Sequence, residues 1–316
     1  MCGLFGVISN NVSSLLSSRE LDNILLSLRH RGPDGSGTWL DKNAGIHLGH
    51  RRLSIHDLSS HGNQPMLSKS NRYVLVYNGE IYNFVALRKK LVLDGCIFEG
   101  GSDTEVLLNA IDKWGLSKSL NLFNGMFAFA LWDRKKRQLL MIRDRMGEKP
   151  LYYGWQGDAF LFGSELKAFL QHPAWVGGVN RNSLAKLLQY NYIPSPQTIY
   201  HNIFQVQPGE MVKLSFQNNA WNLEASNWWS LSENFQKGKD NLFQGNRNDA
   251  VDELELILKE VLSEQQLADV PVGAFLSGGI DSSAVVSVLQ SVSSQPINSF
   301  TIGSFNPDYD ESTKAR

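Results

Sequence analysis

The chain has 316 residues, which at roughly 150 residues per domain sets an expectation of about two domains. Hydrophobic residues at 42% and charged residues at 19% exclude wholesale disorder and fibrous repeats, and 30 Lys+Arg against 31 Asp+Glu, a net charge of −1, leave no global field for steering onto nucleic acid or anionic lipid. The longest apolar run, 126–132, falls far short of the roughly 18 residues that span a bilayer, so neither nucleic acid nor a membrane is an expected partner.

In chain order, residues 4–8 predict a short buried strand. Ser17 and Glu20 have capping-box spacing, and Leu21, Ile24, Leu25 and Leu28 recur at helical intervals, so an amphipathic helix follows. It ends before the turn-formers Arg31-Gly32-Pro33-Asp34-Gly35. Strand-like runs come next at 46–50, 53–55 and 73–77, the last stopped by Asn78-Gly79, a pair that accepts positive φ. Helical spacing returns with Phe84, Leu87 and Leu91, and again with Val106, Leu107, Ala110, Ile111 and Trp114. Short apolar runs at 126–132, 138–142, 151–155 and 160–162, separated by charged turns, complete an α+β pattern.

From about 218 to 248 the composition shifts toward Asn, Gln, Ser and Gly, which predicts an interdomain connection and a boundary near 215. The expected division is therefore 1–214 and 215–316. Beyond it, Val251, Leu254, Leu258, Val261 and Leu262 mark a helix, followed by a strand at 270–276, a Gly loop, a helix at 282–289 and a strand at 297–302. That order is the start of a βαβ unit with a parallel sheet, one crossover long, so this domain is expected to be incomplete or completed elsewhere. Trp228-Trp229 is read as a packing cluster near the junction.

Two cysteines, Cys2 and Cys96, cannot build a disulfide framework or a four-thiolate zinc site, and the N-terminus lacks the basic and apolar regions of a secretory signal; a reducing, cytoplasmic setting is expected. Cys96 reads as an inert packed thiol. The seven histidines show no metal-ligand spacing and read as structural or surface residues, so no metal ligands are assigned. Cys2 is different in kind. Once Met1 is removed it carries both a thiol and an α-amine whose ordinary pKa of roughly 7.7–8.0 lets it act as base for its own nucleophile. From position alone, an ordinary small buried hydrophobe is the commoner role. An acyl-transfer site also needs an oxyanion hole, which the Asn78 amide and Gly79 backbone N–H can supply. An amino-acid substrate needs a cation for its carboxylate and an anion for its ammonium, which Arg52 and Asp103 can supply. Each also has a plain structural account, as turn, surface charge or helix cap.

Cys2-Gly3, Arg29-His30-Arg31-Gly32-Pro33-Asp34, His50-Arg51-Arg52-Leu53-Ser54-Ile55, Tyr77-Asn78-Gly79-Glu80-Ile81-Tyr82-Asn83 and Gly101-Ser102-Asp103-Thr104-Glu105 together resemble the class II glutamine amidotransferase domain. With 125–129, 143–147 and 163–168, the similarity runs through essentially the whole first domain and is narrowest to the glutamine-hydrolysing asparagine synthetases. The resemblance implies a four-layer αββα N-terminal-nucleophile fold in which Cys2 attacks the glutamine amide and a glutamyl thioester is then hydrolysed. It further implies that Asn78 and Gly79 form the oxyanion hole, that Arg52 holds the glutamine carboxylate, and that Glu80 and Asp103 hold its amino end. Arg52 is chosen because it directly precedes Leu53-Ser54-Ile55, with Arg51 as the alternative.

In the second part, Ser277-Gly278-Gly279-Ile280-Asp281-Ser282-Ser283 lies between a predicted strand and helix, where backbone N–H groups, hydroxyls and the helix dipole can cradle a pyrophosphate. It lacks a Walker Gly-Lys-Ser/Thr. The string resembles the loop of enzymes that cleave ATP between its α and β phosphates, which implies an α/β parallel-sheet ATP-pyrophosphatase domain. ATP with Mg²⁺ is then expected on Ser277, Gly278, Gly279, Asp281 and Ser282, and Phe275 and Ile302, the latter on the next strand, would line the adenosine pocket. Tyr309-Asp310-Glu311 also matches the family. The implied overall reaction amidates aspartate, with ammonia from glutamine attacking an aspartyl adenylate to give asparagine, AMP and pyrophosphate; a homodimer is compatible with it. A different acceptor carboxylate, such as a polysaccharide uronic acid, and a nonenzymatic glutamine-binding module are the alternatives.

Overall fold

The computed structural model describes residues 1–11, 15–218, 220–306 and 310–315, in two units, 1–232 and 233–316. In the first unit, β1 (Gly3–Ile8) is buried along its whole length, as an apolar run without polar alternation requires when both faces of a sheet are covered. It pairs antiparallel with β3 (Ile46–Arg52) on one side and β9 (Ala159–Gly163) on the other. With β2 (Gly35–Asp41), β8 (Tyr152–Gln156) and β10 (Ile203–Gln205) these strands form a six-stranded sheet in the order β10-β8-β9-β1-β3-β2. A second sheet contains β4 (Met66–Leu67), β5 (Tyr73–Ile81), β6 (Gly125–Asp133), β7 (Gln138–Arg143), β11 (Glu210–Gln217) and β12 (Ala220–Asn227), in the order β12-β11-β7-β6-β5-β4.

Strand alternation sorts the side chains into three cores. Leu4 and Ile8 of β1, Ile46 and Leu48 of β3, Val74 and Val76 of β5, and Ala128, Ala130 and Trp132 of β6 meet between the sheets. Tyr73, Leu75 and Tyr77 of β5 and Phe127, Phe129 and Leu131 of β6 face the other way, onto α2 (Phe84–Leu93), α3 (Asp103–Trp114) and α4 (Leu116–Leu122). Phe5 and Val7 of β1 face α1 (Ser18–Ser27) and α5 (Leu166–Phe169). The layers are thus helix, sheet, sheet, helix, the expected αββα arrangement. The Ser17–Glu20 capping box closes the start of α1, and α6 (Arg181–Tyr190) follows α5.

Several sequence expectations are corrected. Asn78-Gly79 is not a turn: β5 continues through both residues to Ile81, with Asn78 opposite Ala128 and Gly79 opposite Phe127. The run 53–55 is a loop after β3, and β2 arises at the end of the turn-former cluster. The composition shift near 215 is an edge hairpin, because β12 pairs along its length with β11 and keeps this segment within the first unit. Trp228 then stacks on Phe127 with ring centroids 5.9 Å apart, and its indole N–H donates to the Arg143 carbonyl at 3.0 Å.

α7 (Leu231–Asp240) crosses from one unit into the next, and α8 (Arg247–Gln265) begins with a second capping box, Asn246 with Asp249. The second unit continues with β13 (Gly273–Phe275), α9 (Ile280–Val292), β14 (Asn298–Phe300) and α10 (Ser312–Ala315). β13 and β14 pair in parallel across the α9 crossover, as expected for βαβ. Both strands are shorter than expected, and Ile302 lies beyond β14 rather than on it. Tyr309 lies outside the described residues.

One polar strut crosses the space between the two sheets of the first unit: His50 Nε2 on β3 donates to the Tyr77 carbonyl on β5 at 3.0 Å. Burial pushes the His50 imidazole down to about 4, helped by the positive charges of Arg52 and Arg51. Below pH about 6.5 the unfolded chain takes up a proton here that the folded chain refuses. Stability is therefore expected to fall by about 3 kcal/mol as pH drops from 6.5 to 4, and urea titrations of His50→Gln should show a flatter dependence over that window.

Candidate active site

The first sheet supplies the thiol side of a cleft. Gly3 pairs with Arg51, so Cys2 lies at the end of β3, where its Sγ accepts from the Leu53 N–H at 3.4 Å and lies 3.7 Å from the Leu53 carbonyl. Arg31 pins the Cys2 backbone, its Nε donating to the Cys2 carbonyl at 2.9 Å while Nη1 pairs with Glu165 at 2.9 Å. Burial pushes the Cys2 thiol up, against a smaller opposing effect of the Leu53 N–H. A thiol so placed needs a base to become a nucleophile.

The second sheet supplies the opposite wall. Asn78 is fully buried, and neither its amide nitrogen nor its oxygen has a hydrogen-bond partner. Buried amides are almost always paired within the protein, so an unpaired one in a cleft marks a site built for something else to bind. Gly79 is dictated by the sheet itself, since a Cβ there would fall 2.3 Å from the Met126 carbonyl on β6. Tyr77 organises the surroundings with three bonds. Its N–H donates to Gln64 Oε1 at 2.6 Å, its carbonyl accepts from His50, and its hydroxyl donates to Asp103 Oδ2 at 2.7 Å. Asp103 opens α3 directly after the cap Ser102 and also accepts from the Ile81 N–H at 3.0 Å. Burial raises both Asp103 and Glu80, and the Asp103 carboxylate raises Glu80 further by repulsion, whereas His56 and Lys149 favour its charged form.

Cys2, Arg52, Asn78, Gly79, Glu80 and Asp103 all line one cavity of about 120 Å³. Arg51 does not line it, its Nε donating instead to the Gly32 carbonyl at 2.9 Å; adjacent residues of β3 point to opposite faces. Arg52 has a second task. Its terminal nitrogens donate to the carbonyls of Ser59 at 2.7 Å, His56 at 3.2 Å and Asp57, and to Asn63 Oδ1 at 3.0 Å, so these donors are taken up by the 56–63 loop and Nε is the remaining one. Gly62 leaves the room this requires, because a Cβ would fall 2.0 Å from Arg52 Nη2. The sequence reading passed over Gln64, His56, Thr104, Met126 and Lys149, which also line the cavity. For Lys149 the signal is its place two residues beyond the 143–147 motif.

In the second unit the Ser277 loop is closed by its own hydroxyls. Ser282 Oγ accepts from the Ser277 N–H at 3.1 Å and lies 2.9 Å from Ser277 Oγ, which accepts from the Gly279 N–H at 3.3 Å. α9 then starts from Gly279 without a side-chain cap, which leaves its first-turn amides available to an anion. Gly278 and Gly279 lie exposed on this loop, Asp281 is exposed in the first turn of α9, and Phe275 and Ile302 present apolar side chains that are 81% and 82% exposed. Among the described residues no group of three His, Cys, Asp or Glu side chains converges as a metal cage.

Removing the Tyr77 hydroxyl takes a donor from a buried carboxylate. Tyr77→Phe is expected to lower stability by about 2 kcal/mol, as read by urea unfolding.

The model for the glutamine amidotransferase domain matches residues 1–229, and the model for asparagine synthase matches residues 253–316. A glutamine-hydrolysing asparagine synthetase of Bacillus subtilis is 34% identical over 322 residues, covering 99% of this chain and 49% of the relative. A protein of Methanocaldococcus jannaschii named as an asparagine synthetase is 35% identical over 331 residues, covering 98% of this chain and 61% of its own length. The chain thus spans about half to three-fifths of the length of these relatives. Among solved structures, the glutamine phosphoribosylpyrophosphate amidotransferase of B. subtilis superposes with a TM-score of 0.52 at 20% identity, covering 95% of this chain and 65% of that one, a likeness of fold. From Met1 to Trp229 the chain belongs to the glutamine amidotransferase domain family, with the opening segment of an asparagine synthase domain behind it.

Proposed function

We propose that the first unit hydrolyses glutamine and that its ammonia is used in an ATP-dependent synthesis of asparagine. The observation that carries the first half is the meeting, in one cleft, of the Cys2 thiol with the buried, unpaired Asn78 amide. Removal of Met1 frees the Cys2 α-amine. With Met1 in place, burial holds the Met1 amine below its ordinary range; once freed, the Cys2 amine serves as the base that takes the thiol proton. The thiolate attacks the side-chain amide carbon of glutamine, and the Asn78 Nδ2 and Gly79 N–H stabilise the oxyanion. The leaving nitrogen takes the proton and departs as ammonia, and water hydrolyses the glutamyl thioester. Glu80 and Asp103 hold the glutamine ammonium, and Arg52 its carboxylate, with Nε as the donor left over from the loop.

For the second half, the uncapped start of α9 and the Ser277–Ser282 loop would receive the pyrophosphate of ATP, with Phe275 and Ile302 flanking the nucleoside. Mg²⁺ would travel with the phosphates, lending them charge neutralisation, with Asp281 as the acidic side chain in the first turn of α9. An aspartate carboxylate attacking the α-phosphorus gives the acyl adenylate and releases pyrophosphate, and ammonia then displaces AMP. The match to the asparagine synthase model and the names of the relatives support aspartate as acceptor.

Glutamate release from glutamine is expected from the Met1-free chain and is expected to be lost in Cys2→Ala and in a Met1-retaining form. A folded, Met1-free chain without turnover would sink the glutaminase reading. In the full-length protein, AMP formation should depend on aspartate; dependence on another carboxylate alone would overturn the acceptor assignment. Asn78→Ala should lower kcat by about 100-fold. Because the amide makes no hydrogen bond within the protein, the same change should cost stability only about 1 kcal/mol.

A further inference from the structure

The 143–149 turn is held far more firmly than a surface connection needs to be. The Asp144 carboxylate accepts from four backbone N–H groups, those of Phe127 at 3.1 Å, Met146 at 3.1 Å, Glu148 at 2.9 Å and Lys149 at 3.0 Å. Arg143 clamps the same turn from the other side, donating to the carbonyls of Lys149 at 2.8 Å, Val206 at 2.7 Å and Gly147. Gly147 takes a φ of +71°, and a Cβ there would press on Pro208 and Arg143. The side chain this scaffold delivers to the glutamine cleft is Lys149, which is only 7% exposed. Among the described residues its ammonium makes no hydrogen bond within the protein and no ion pair within 4.0 Å. A mostly buried lysine whose ammonium has no ion-pair partner is held at a cost, so its place in this cleft calls for a task there.

We propose that Lys149 is a positioning residue of the glutamine site, held by the 143–149 turn in the cleft with Glu80 so that this carboxylate stays charged and ready to receive the substrate ammonium. The assignment rests on the glutaminase reading above. Glu80 is flanked by His56, Lys149 and the chain terminus as positive groups and by Asp103 as a negative one. Lys149 in turn faces Glu80, Glu148 and Asp144 as anions and Arg31 as a cation. Burial works against the charge on Glu80, and Asp103 adds repulsion. Without Lys149, Glu80 would hold a proton to higher pH and present a weaker, neutral acceptor to the ammonium of glutamine.

A double-mutant cycle tests this, read both as KM in the Met1-free enzyme and as calorimetric glutamine affinity in a Cys2→Ala background. Lys149→Met is expected to weaken glutamine about tenfold near pH 6, less at pH 8, with kcat changed by less than about threefold. In a Glu80→Gln background the same change should cost less than about twofold, because its target is already neutral. Lys149→Arg should keep affinity within about threefold, and Lys149→Gln guards against a folding defect peculiar to Met. Equal weakening in both backgrounds, an unchanged affinity, or a loss confined to kcat would overturn the assignment while leaving the glutaminase reading intact. A wild-type chain that neither binds nor hydrolyses glutamine would overturn that reading and the assignment with it.

Discussion

The registry of the two sheets in the first unit leans on a hydrogen bond buried in the core between them, from His50 on β3 to the carbonyl of Tyr77 on β5. Two sheets packed through Leu, Val and Ala side chains can slide with little change in buried area, because apolar contact has no direction. A buried, directional bond sets the registry of one sheet on the other. Here the registry matters chemically, since β3 ends at Arg52 beside Cys2, and β5 continues from Tyr77 into Asn78, Gly79 and Glu80. The same Tyr77 ties Gln64 and Asp103 to the frame through its N–H and its hydroxyl. One residue thus links both sheets and the N-terminus of α3 at the point where the cleft opens.

The electrostatics of the cleft follow from that burial. Cys2, Glu80, Asp103 and Lys149 are all moved by desolvation toward their neutral forms, and each relies on a neighbour to oppose it. Asp103 relies on the Tyr77 hydroxyl and the Ile81 N–H, and Glu80 on His56 and Lys149. Burying such charges is costly, and under the proposed function the ammonium and carboxylate of an amino acid would complete the pairing. The Arg52 guanidinium shows the same economy of placement, because its grip on the 56–63 loop makes it a rigid wall rather than a mobile side chain.

Much of this was legible in the chain. The capping box at Ser17 and Glu20, the spacing of Leu21, Ile24, Leu25 and Leu28, and the run before Ser277-Gly278-Gly279 correspond to α1, β13 and α9, because local bonds and periodicity act over a few residues. Asn78-Gly79 misled because the pair is usually a turn-former, whereas here the close approach of β6 requires a glycine in the middle of a strand. The polar stretch after 215 misled because β12 is an edge strand, mostly exposed, whose pairing with β11 is made by backbone and leaves little apolar signature.

By itself the sequence singled out the candidates: Cys2, Asn78, Gly79, Arg52, Asp103 and the Ser-Gly-Gly loop from residue type and local context, and Glu80 through the family resemblance. Only the tertiary structure decided that Arg52 and not Arg51 reaches the cleft, that Gln64 and His56 join it, and that Lys149 lines it with Glu80. These are matters of which face of a strand meets which face of another sheet. Strand periodicity says that neighbours point apart, but the direction that is inward is set by pairing with segments distant in the chain, which no local pattern encodes.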